Sequence, residues 1–125
     1  MIKSIISLVC VCVILFVGAV LETNFINKEF NDFHSVLDVA YEKVLNQTAV
    51  EDDVYAVQNN WLNKKAKLHA FIPHNDIKEI DLWIAEAVTL VRDKEWHDAV
   101  SKIEVLKELT EQIPKTFLIS FSNIF

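Results

Sequence analysis

The chain has 125 residues, of which about a hundred follow an apolar N-terminal run, and these suffice for one small hydrophobic core. The chain has twelve basic residues, and all but Lys3 lie beyond the run, together with all eighteen acidic residues. The part beyond the run therefore has a net charge of −7, which argues against nucleic acid as a partner. The single glycine, Gly18, excludes glycine-rich phosphate loops, dinucleotide-binding fingerprints and nucleophile elbows. Both cysteines lie in the run, so we expect no disulfide or thiol nucleophile in the rest.

The N-terminal run predicts a membrane anchor. From Ser4 to Leu21 the chain has no charged side chain, and as a helix these residues would span about 27 Å, close to the ~30 Å hydrocarbon core. The interpretation is a transmembrane segment at Ile5–Leu21 and an anchor region at 1–22, followed by a helical domain at 23–125. Lys3 in front predicts a cytoplasmic N-terminus and an extracytoplasmic domain in a single-pass protein of the cell membrane. A cleaved signal peptide is the alternative, since Val17–Ala19 offers small residues for a peptidase.

The first helix is expected to leave the membrane without a break. Its apolar residues recur at spacings of three and four: Ile26, Phe30, Phe33, Leu37, Ala40 and Val44. We expect this stripe to face a bundle core, although a coiled-coil oligomer would show a similar seam. Phe25 and Phe33 could alternatively lie at the lipid headgroups.

The second helix follows a turn at Asn46–Thr48. Thr48 and Glu51 have the spacing of a capping box, which predicts a helix to about Ala70. Its expected core stripe is Val50, Val54, Val57, Trp61, Leu68 and Phe71. Three lysines, Lys64, Lys65 and Lys67, form either a solvated face or a docking patch for an acidic partner.

The third helix is predicted between Pro73, which should end the second, and a turn at Asp93–Glu95. Asn75 or Asp76 should cap its start, and its stripe is Ile77, Ile80, Ile84, Ala87 and Val91. With no glycine available, turns with a positive φ should use Asn or Asp.

The fourth helix is expected to be capped by Asp93 and to stop at Pro114. Its stripe is Trp96, Ala99, Val100, Ile103, Leu106, Leu109 and Ile113. The tail, Lys115–Phe125, is so apolar that we expect it to pack against the bundle or the membrane surface.

The candidate chemistry is sparse. His34 and His97 fall on polar helix faces, whereas His69 and His74 flank the turn between the second and third helices, near Asp76. Two histidines and a carboxylate could bind zinc, but a proline interrupts the spacing, and capping of helix ends explains these residues equally well. Asp76, Glu79 and Asp81 are explained by the dipole of the third helix. We therefore expect no enzyme, no cofactor, no metal and no catalytic residue.

The whole chain resembles a family of small bacterial proteins from clostridia and bacilli, domain of unknown function family 4363. The resemblance is carried by the anchor and by the stretches Trp61–Lys65, Phe71–Ile80, Leu106–Leu109, Ile113–Pro114 and Ser122–Phe125. It implies a membrane-anchored helical domain without a known activity, substrate or catalytic residue. It also implies a membrane partner, since members are often encoded beside another small membrane protein.

The sequence as a whole predicts an all-α protein in which a transmembrane helix continues into an antiparallel bundle of about four helices. The expected function is an interaction or scaffold module for another membrane or envelope protein. The alternative is a secreted or anchored domain that binds a small ligand or a metal. The candidate partner-binding residues are Trp61, Lys64, Lys65, His74 and Asp76.

Overall fold

The computed structural model describes the backbone of residues 1–124 and the side chains of residues 1–116. Four helices account for most of this chain: α1 Ile2–Leu45, α2 Glu51–Leu68, α3 His74–Arg92 and α4 Trp96–Ile124. The all-α architecture predicted from the apolar periodicities is therefore confirmed.

Helix α1 is one unbroken helix of 44 residues, about 66 Å long. Its N-terminal part, Ile2–Val17, is exposed along its whole length, and its first buried side chain is Ile26. No proline interrupts it, and its one glycine, Gly18, keeps the helical conformation. The expected continuity between the apolar run and the first helix of the bundle is confirmed.

The four helices run alternately up and down, and each packs against two neighbours. Helix α1 lies between α2 and α4, and α3 lies between the same two helices on the opposite side. The core is made by most of the residues in the stripes expected from the sequence, and Phe33 lies in it with no exposed surface. Phe33 is thus not an interfacial aromatic residue, whereas the half-buried Phe25 meets the edge of Phe71 with ring centroids 6.0 Å apart.

The turns after α1 and α3 share one conformation. Gln47 and Lys94 both have φ 58°, the left-handed region. In each turn the next backbone N–H reaches back five residues: Thr48 donates to the Lys43 carbonyl and Glu95 to that of Leu90, both at 2.9 Å. This is the Schellman arrangement, which satisfies carbonyls at the helix end. The expectation that Asn or Asp would take the positive-φ position is wrong.

The start of α2 differs from the expected capping box. Val50 is the N-cap and is 59% exposed, so its predicted place in the core stripe is wrong. Its backbone N–H donates to Asp53 Oδ2 at 2.9 Å, and Lys43 Nζ lies 2.8 Å from Asp53 Oδ1. Both bonds lower the pKa of Asp53, and the bond from Lys43 has the larger effect. Thr48 instead donates to the Lys43 carbonyl at 3.2 Å, because it belongs to the end of α1.

The other expected helix boundaries also shift. Helix α2 ends at Leu68, and Pro73 is the N-cap of α3, where a proline costs no backbone hydrogen bond. Asn75 and Asp76 therefore lie inside the first turn of α3 and do not cap it. Asp93 is the C-cap of α3 and not the N-cap of α4.

Pro114 does not stop α4, contrary to expectation, and the helix continues to Ile124. A proline removes one backbone donor, but Thr110 and Ile113 in the preceding turn are buried and hold the helix against its neighbours. The expected packing of the apolar tail concerns side chains beyond Thr116, which lie outside the described residues.

Candidate functional site

Trp61, a candidate partner-binding residue, is part of the core. Its side chain is 1% exposed, and its ring lies 5.2 Å from that of Phe33 and 6.4 Å from that of Phe30, measured between centroids. The indole N–H donates to Asp81 Oδ1 at 2.7 Å, which satisfies the donor that a buried tryptophan brings with it. The residue therefore joins α1, α2 and α3 and offers no ring surface to a partner.

Lys65 uses the same acceptor residue. Its Nζ lies 2.7 Å from Asp81 Oδ2, so each oxygen of this carboxylate has one partner from α2. Asp81 lies in the second turn of α3, not in the first. Its position is thus explained by Trp61 and Lys65, and the expected role in the helix dipole is not needed.

Lys64 belongs to a second polar group, which we call the ion-pair cluster and define as Glu29, Asp32, Lys64 and Lys67. Lys64 Nζ lies 2.9 Å from Glu29 Oε2 and 3.3 Å from Asp32 Oδ2. Lys67 Nζ lies 3.9 Å from the same Glu29 oxygen. Glu29 is 5% exposed, so the cluster has a buried carboxylate at its centre.

The electrostatics of the cluster favour its charged state. Burial lowers the pKa of Lys64, but its bonds to Glu29 and Asp32 together outweigh this, and the pKa ends above its usual value. Both carboxylates come from α1, the helix that carries the apolar run. The cluster therefore ties α1 to α2. Since Lys65 is paired with Asp81, all three lysines of the basic patch lie beside carboxylates of the same chain.

His74 and Asp76 stand at the other end of α3 from the turn at Asp93. His74 is exposed and Asp76 is half-buried, both in the first helical turn. Asp76 is the acidic residue of that turn, where the helix dipole favours it. In the described part of the chain, no three His, Cys, Asp or Glu side chains come close enough to hold a metal, so the structure does not assemble His69, His74 and Asp76 into a site.

A groove between α3 and α4 is open to solvent. It has a volume of about 590 Å³, and its apolar lining includes Leu82, Ala85 and Leu90. Lys102 crosses it: the Nζ atom lies 3.1 Å from Glu86 Oε2 and 4.5 Å from the centroid of the Trp83 ring. The groove is open, and its lining is partly apolar and partly charged, with Glu86, Asp98 and Lys102 as the charged residues.

Two residues that organise these contacts were missed from the sequence, Glu29 and Asp81. A signal for Glu29 exists: it falls three residues after Ile26 and four before Phe33, on the apolar stripe, where a charge needs a buried partner. For Asp81 the only signal was the need of Trp61 for an acceptor, and spacing along the chain does not say which of the carboxylates supplies it.

The fold and these contacts define a four-helix bundle carried on one long helix, whose N-terminal part lies outside the bundle. That part is long and apolar enough to cross a membrane: its most apolar window of 18 residues has a mean hydropathy of 3.0. The family model for the domain of unknown function DUF4363 matches residues 20–124, and the chain belongs to this family. Neither the curated proteins nor the solved structures gave a match to this chain.

Proposed function

We propose that this chain is a single-pass membrane protein whose helical domain is an interaction module for another membrane or envelope protein. The observation that carries the proposal is the exposed apolar segment of α1. No residue in its most apolar window of 18 residues is buried in the structure. A lipid bilayer would remove this apolar surface from water. Lys3 before the segment and Glu22 after it favour a cytoplasmic N-terminus, with the bundle on the opposite side.

The rigidity of α1 supports the role as a module held at a membrane. The segment continues into the bundle without a flexible linker, and the ion-pair cluster and Trp61 fasten the same helix to α2. The bundle would therefore keep one height and orientation relative to the bilayer. A fixed orientation reduces the entropy lost when a second membrane-held protein binds.

The groove between α3 and α4 is the surface on which this proposal can be tested. Leu82 in this groove is 60% exposed, although it is a large apolar side chain. Val39 on α1 is exposed to the same fraction but lies outside the residues that line the groove, so the two positions form a matched pair.

The experiment is crosslinking of the tagged full-length chain in its own cells, with a photoreactive residue at Leu82 or at Val39. We expect one discrete adduct with a membrane or envelope protein from position 82, weaker or absent from position 39, and a mass spectrum in which the chain begins at Met1. Equal adducts at both positions, or none, would reject the interaction module. A chain beginning near Val20 would reject the anchor and favour a secreted domain that binds a small ligand.

A further inference from the structure

The α2–α3 turn, which we define as residues 69–75, lies at the end of the bundle from which the apolar run of α1 emerges. Helices α1 and α2 are antiparallel neighbours, so the end of α2 is level with the part of α1 that follows the run. The turns after α1 and α3 lie at the opposite, far end of the bundle. With the apolar run in a bilayer, the α2–α3 turn is the connection between helices that faces the lipid.

Contacts between α1 and the chain of α2 fix the height of this turn. At the far end, Lys43 Nζ lies 2.8 Å from Asp53 Oδ1. At the near end, the rings of Phe25 and Phe71 meet edge to face with their centroids 6.0 Å apart. Phe25 lies 18 residues before Lys43, and Phe71 lies 18 residues after Asp53, so the two contacts belong to one register. The aromatic contact therefore places the turn level with Phe25.

Phe25 lies close to the end of the apolar run. Leu21 is the last residue of the run, and Phe25 follows it by four residues, which is about 6 Å along a helix. Glu22 comes directly after Leu21, and a carboxylate is costly in hydrocarbon, so the lipid boundary lies near Leu21. The headgroup layer is roughly 5–7 Å thick on each side of the hydrocarbon. With the run in the hydrocarbon, Phe25 and Phe71 lie at the level of the headgroups.

The charge of the turn suits this layer. Its surface is formed by exposed side chains without a carboxylate: His69, Ala70, Pro73, His74 and Asn75. No acidic residue occurs between Asp53 and Asp76, and Asp76 is half-buried. By contrast, exposed carboxylates lie in or beside both turns at the far end, such as Asp52, Asp93 and Glu95. Lipid phosphates are therefore repelled less at the α2–α3 turn, where imidazole and amide N–H groups can donate to them.

From these observations we propose that the α2–α3 turn rests on the bilayer, with the exposed side chains of His69, Ala70, Pro73 and His74 in the headgroup layer. The inference rests on the proposed function, because it requires that the apolar part of α1 lies in a bilayer. The partner is the phosphate-bearing headgroup layer, which the two imidazoles contact. The turn adds a second membrane contact beside α1, and two contacts restrict the tilt of the bundle on the bilayer.

The test uses the full chain with Cys10→Ser and Cys12→Ser, reconstituted in vesicles of phosphatidylcholine and phosphatidylglycerol. A fluorophore is attached at Ala70→Cys, and lipids with a nitroxide on the headgroup are added as quenchers. Ala56→Cys is the matched control, since it is also an exposed alanine and lies roughly 20 Å further up α2. Flotation of the vesicles reports the anchor separately. We expect the chain to float, the label at 70 to lose most of its emission and the label at 56 to keep most of it.

A second variant separates a contact from mere proximity. Pro73→Asp adds a carboxylate at the exposed N-cap of α3, and the helix start is kept because Asp is a preferred N-cap residue. Repulsion from the lipid phosphates should lift the turn and restore much of the emission at position 70. Gln47→Asp adds the same charge at the far end, beyond the range of these phosphates in ordinary salt, and should leave the quenching unchanged.

Each outcome decides for or against the contact. Equal quenching at positions 70 and 56 in a chain that floats, whether weak or strong, would overturn the contact and leave the anchor intact. Unchanged quenching in Pro73→Asp would show that α1 alone sets the height of the turn, which would also overturn the contact. If the chain fails to float, the anchor and the contact are both rejected.

Discussion

Trp61 on α2 and Asp81 on α3 are joined by a hydrogen bond of 2.7 Å between the indole Nε1 and Oδ1. The ring lies on the core side of this bond, against Phe33 of α1, and the carboxylate lies on the outer side, where Lys65 neutralises it. One buried side chain thus packs three helices together, and its single polar atom fixes how the ring is turned.

Replacing Trp61 with Ala should lower the free energy of unfolding by about 3–5 kcal/mol, since it deletes a fully buried ring and leaves a cavity between three helices. Urea denaturation followed by circular dichroism measures the change. Leu62→Ala is the control at the adjacent position, where the side chain is exposed and the loss should stay below about 1 kcal/mol. A loss below about 1 kcal/mol for Trp61→Ala would contradict the burial of the ring.

Replacing Asp81 with Ala should cost about 1–3 kcal/mol, because the buried indole N–H then has no acceptor and Lys65 loses its partner. Glu79→Ala removes a carboxylate from an exposed position of the same helix and should change stability little. Thermal unfolding of the two variants, side by side, makes the comparison. Equal losses would show that the bond to Trp61 does not contribute to stability.

The ion pair between Glu29 and Lys64 is the second contact that fastens α1 to α2. Replacing Lys64 with Met should cost about 2–4 kcal/mol, because it leaves the buried Glu29 carboxylate with only Lys67, 3.9 Å away. The double variant with Glu29→Leu should recover much of this loss, since removing both charges also removes the unpaired carboxylate. Chemical denaturation of the four members of this cycle measures the coupling.

Lys43→Met is the matched control for that cycle. Lys43 also bonds to a carboxylate at 2.8 Å, but this pair with Asp53 is more exposed, so its loss should cost less than about 1 kcal/mol. If the two lysine variants lose the same stability, burial does not distinguish the two ion pairs.

The helical stripes could be predicted from the sequence because burial follows the helical period. Ile26, Phe30 and Leu37 are all buried where the spacing placed them, and the antiparallel order follows from the short turns. The helix ends were harder, because the features expected to set them act locally. Pro114 was expected to stop α4, yet the buried residues on the preceding turn outweigh the one backbone bond that a proline removes.

The candidate site was less predictable than the fold. Lys64 and Lys65 were identified as a patch, but their partners Glu29 and Asp81 come from other helices. Which carboxylate meets which lysine depends on how the helices are rotated about their axes, and one sequence does not specify this. Trp61 was expected in the core and was also kept as a candidate for partner binding, and only its exposure separates these roles.

Gln47→Gly should stabilise the chain by up to about 1 kcal/mol, because a residue with a Cβ is strained at φ 58° and glycine is not. Lys94→Gly should act in the same direction, since it has the same φ in the turn after α3. Asn46→Gly is the control: Asn46 has φ −83°, where glycine only adds freedom to the unfolded chain, so this change should destabilise. Thermal unfolding gives all three values, and stabilisation by Asn46→Gly would contradict the argument.

Acidification should remove the contribution of Asp53 at the start of α2. Lys43 and the Val50 N–H hold the pKa of this carboxylate below its usual value, so the bonds stabilise the fold fully above the unfolded pKa of about 3.9. The contribution is lost as the pH falls through the lower folded pKa, where the carboxylate becomes protonated in both states. Unfolding measured from pH 7 down to pH 2 should therefore show Asp53→Asn less stable than the wild type at pH 7, with a difference that shrinks toward the acid end. Asp52→Asn removes the same charge one residue away without breaking the bonds to Val50 and Lys43, and its effect should be smaller at pH 7. A difference for Asp53→Asn that grows as the pH falls would contradict the lowered pKa.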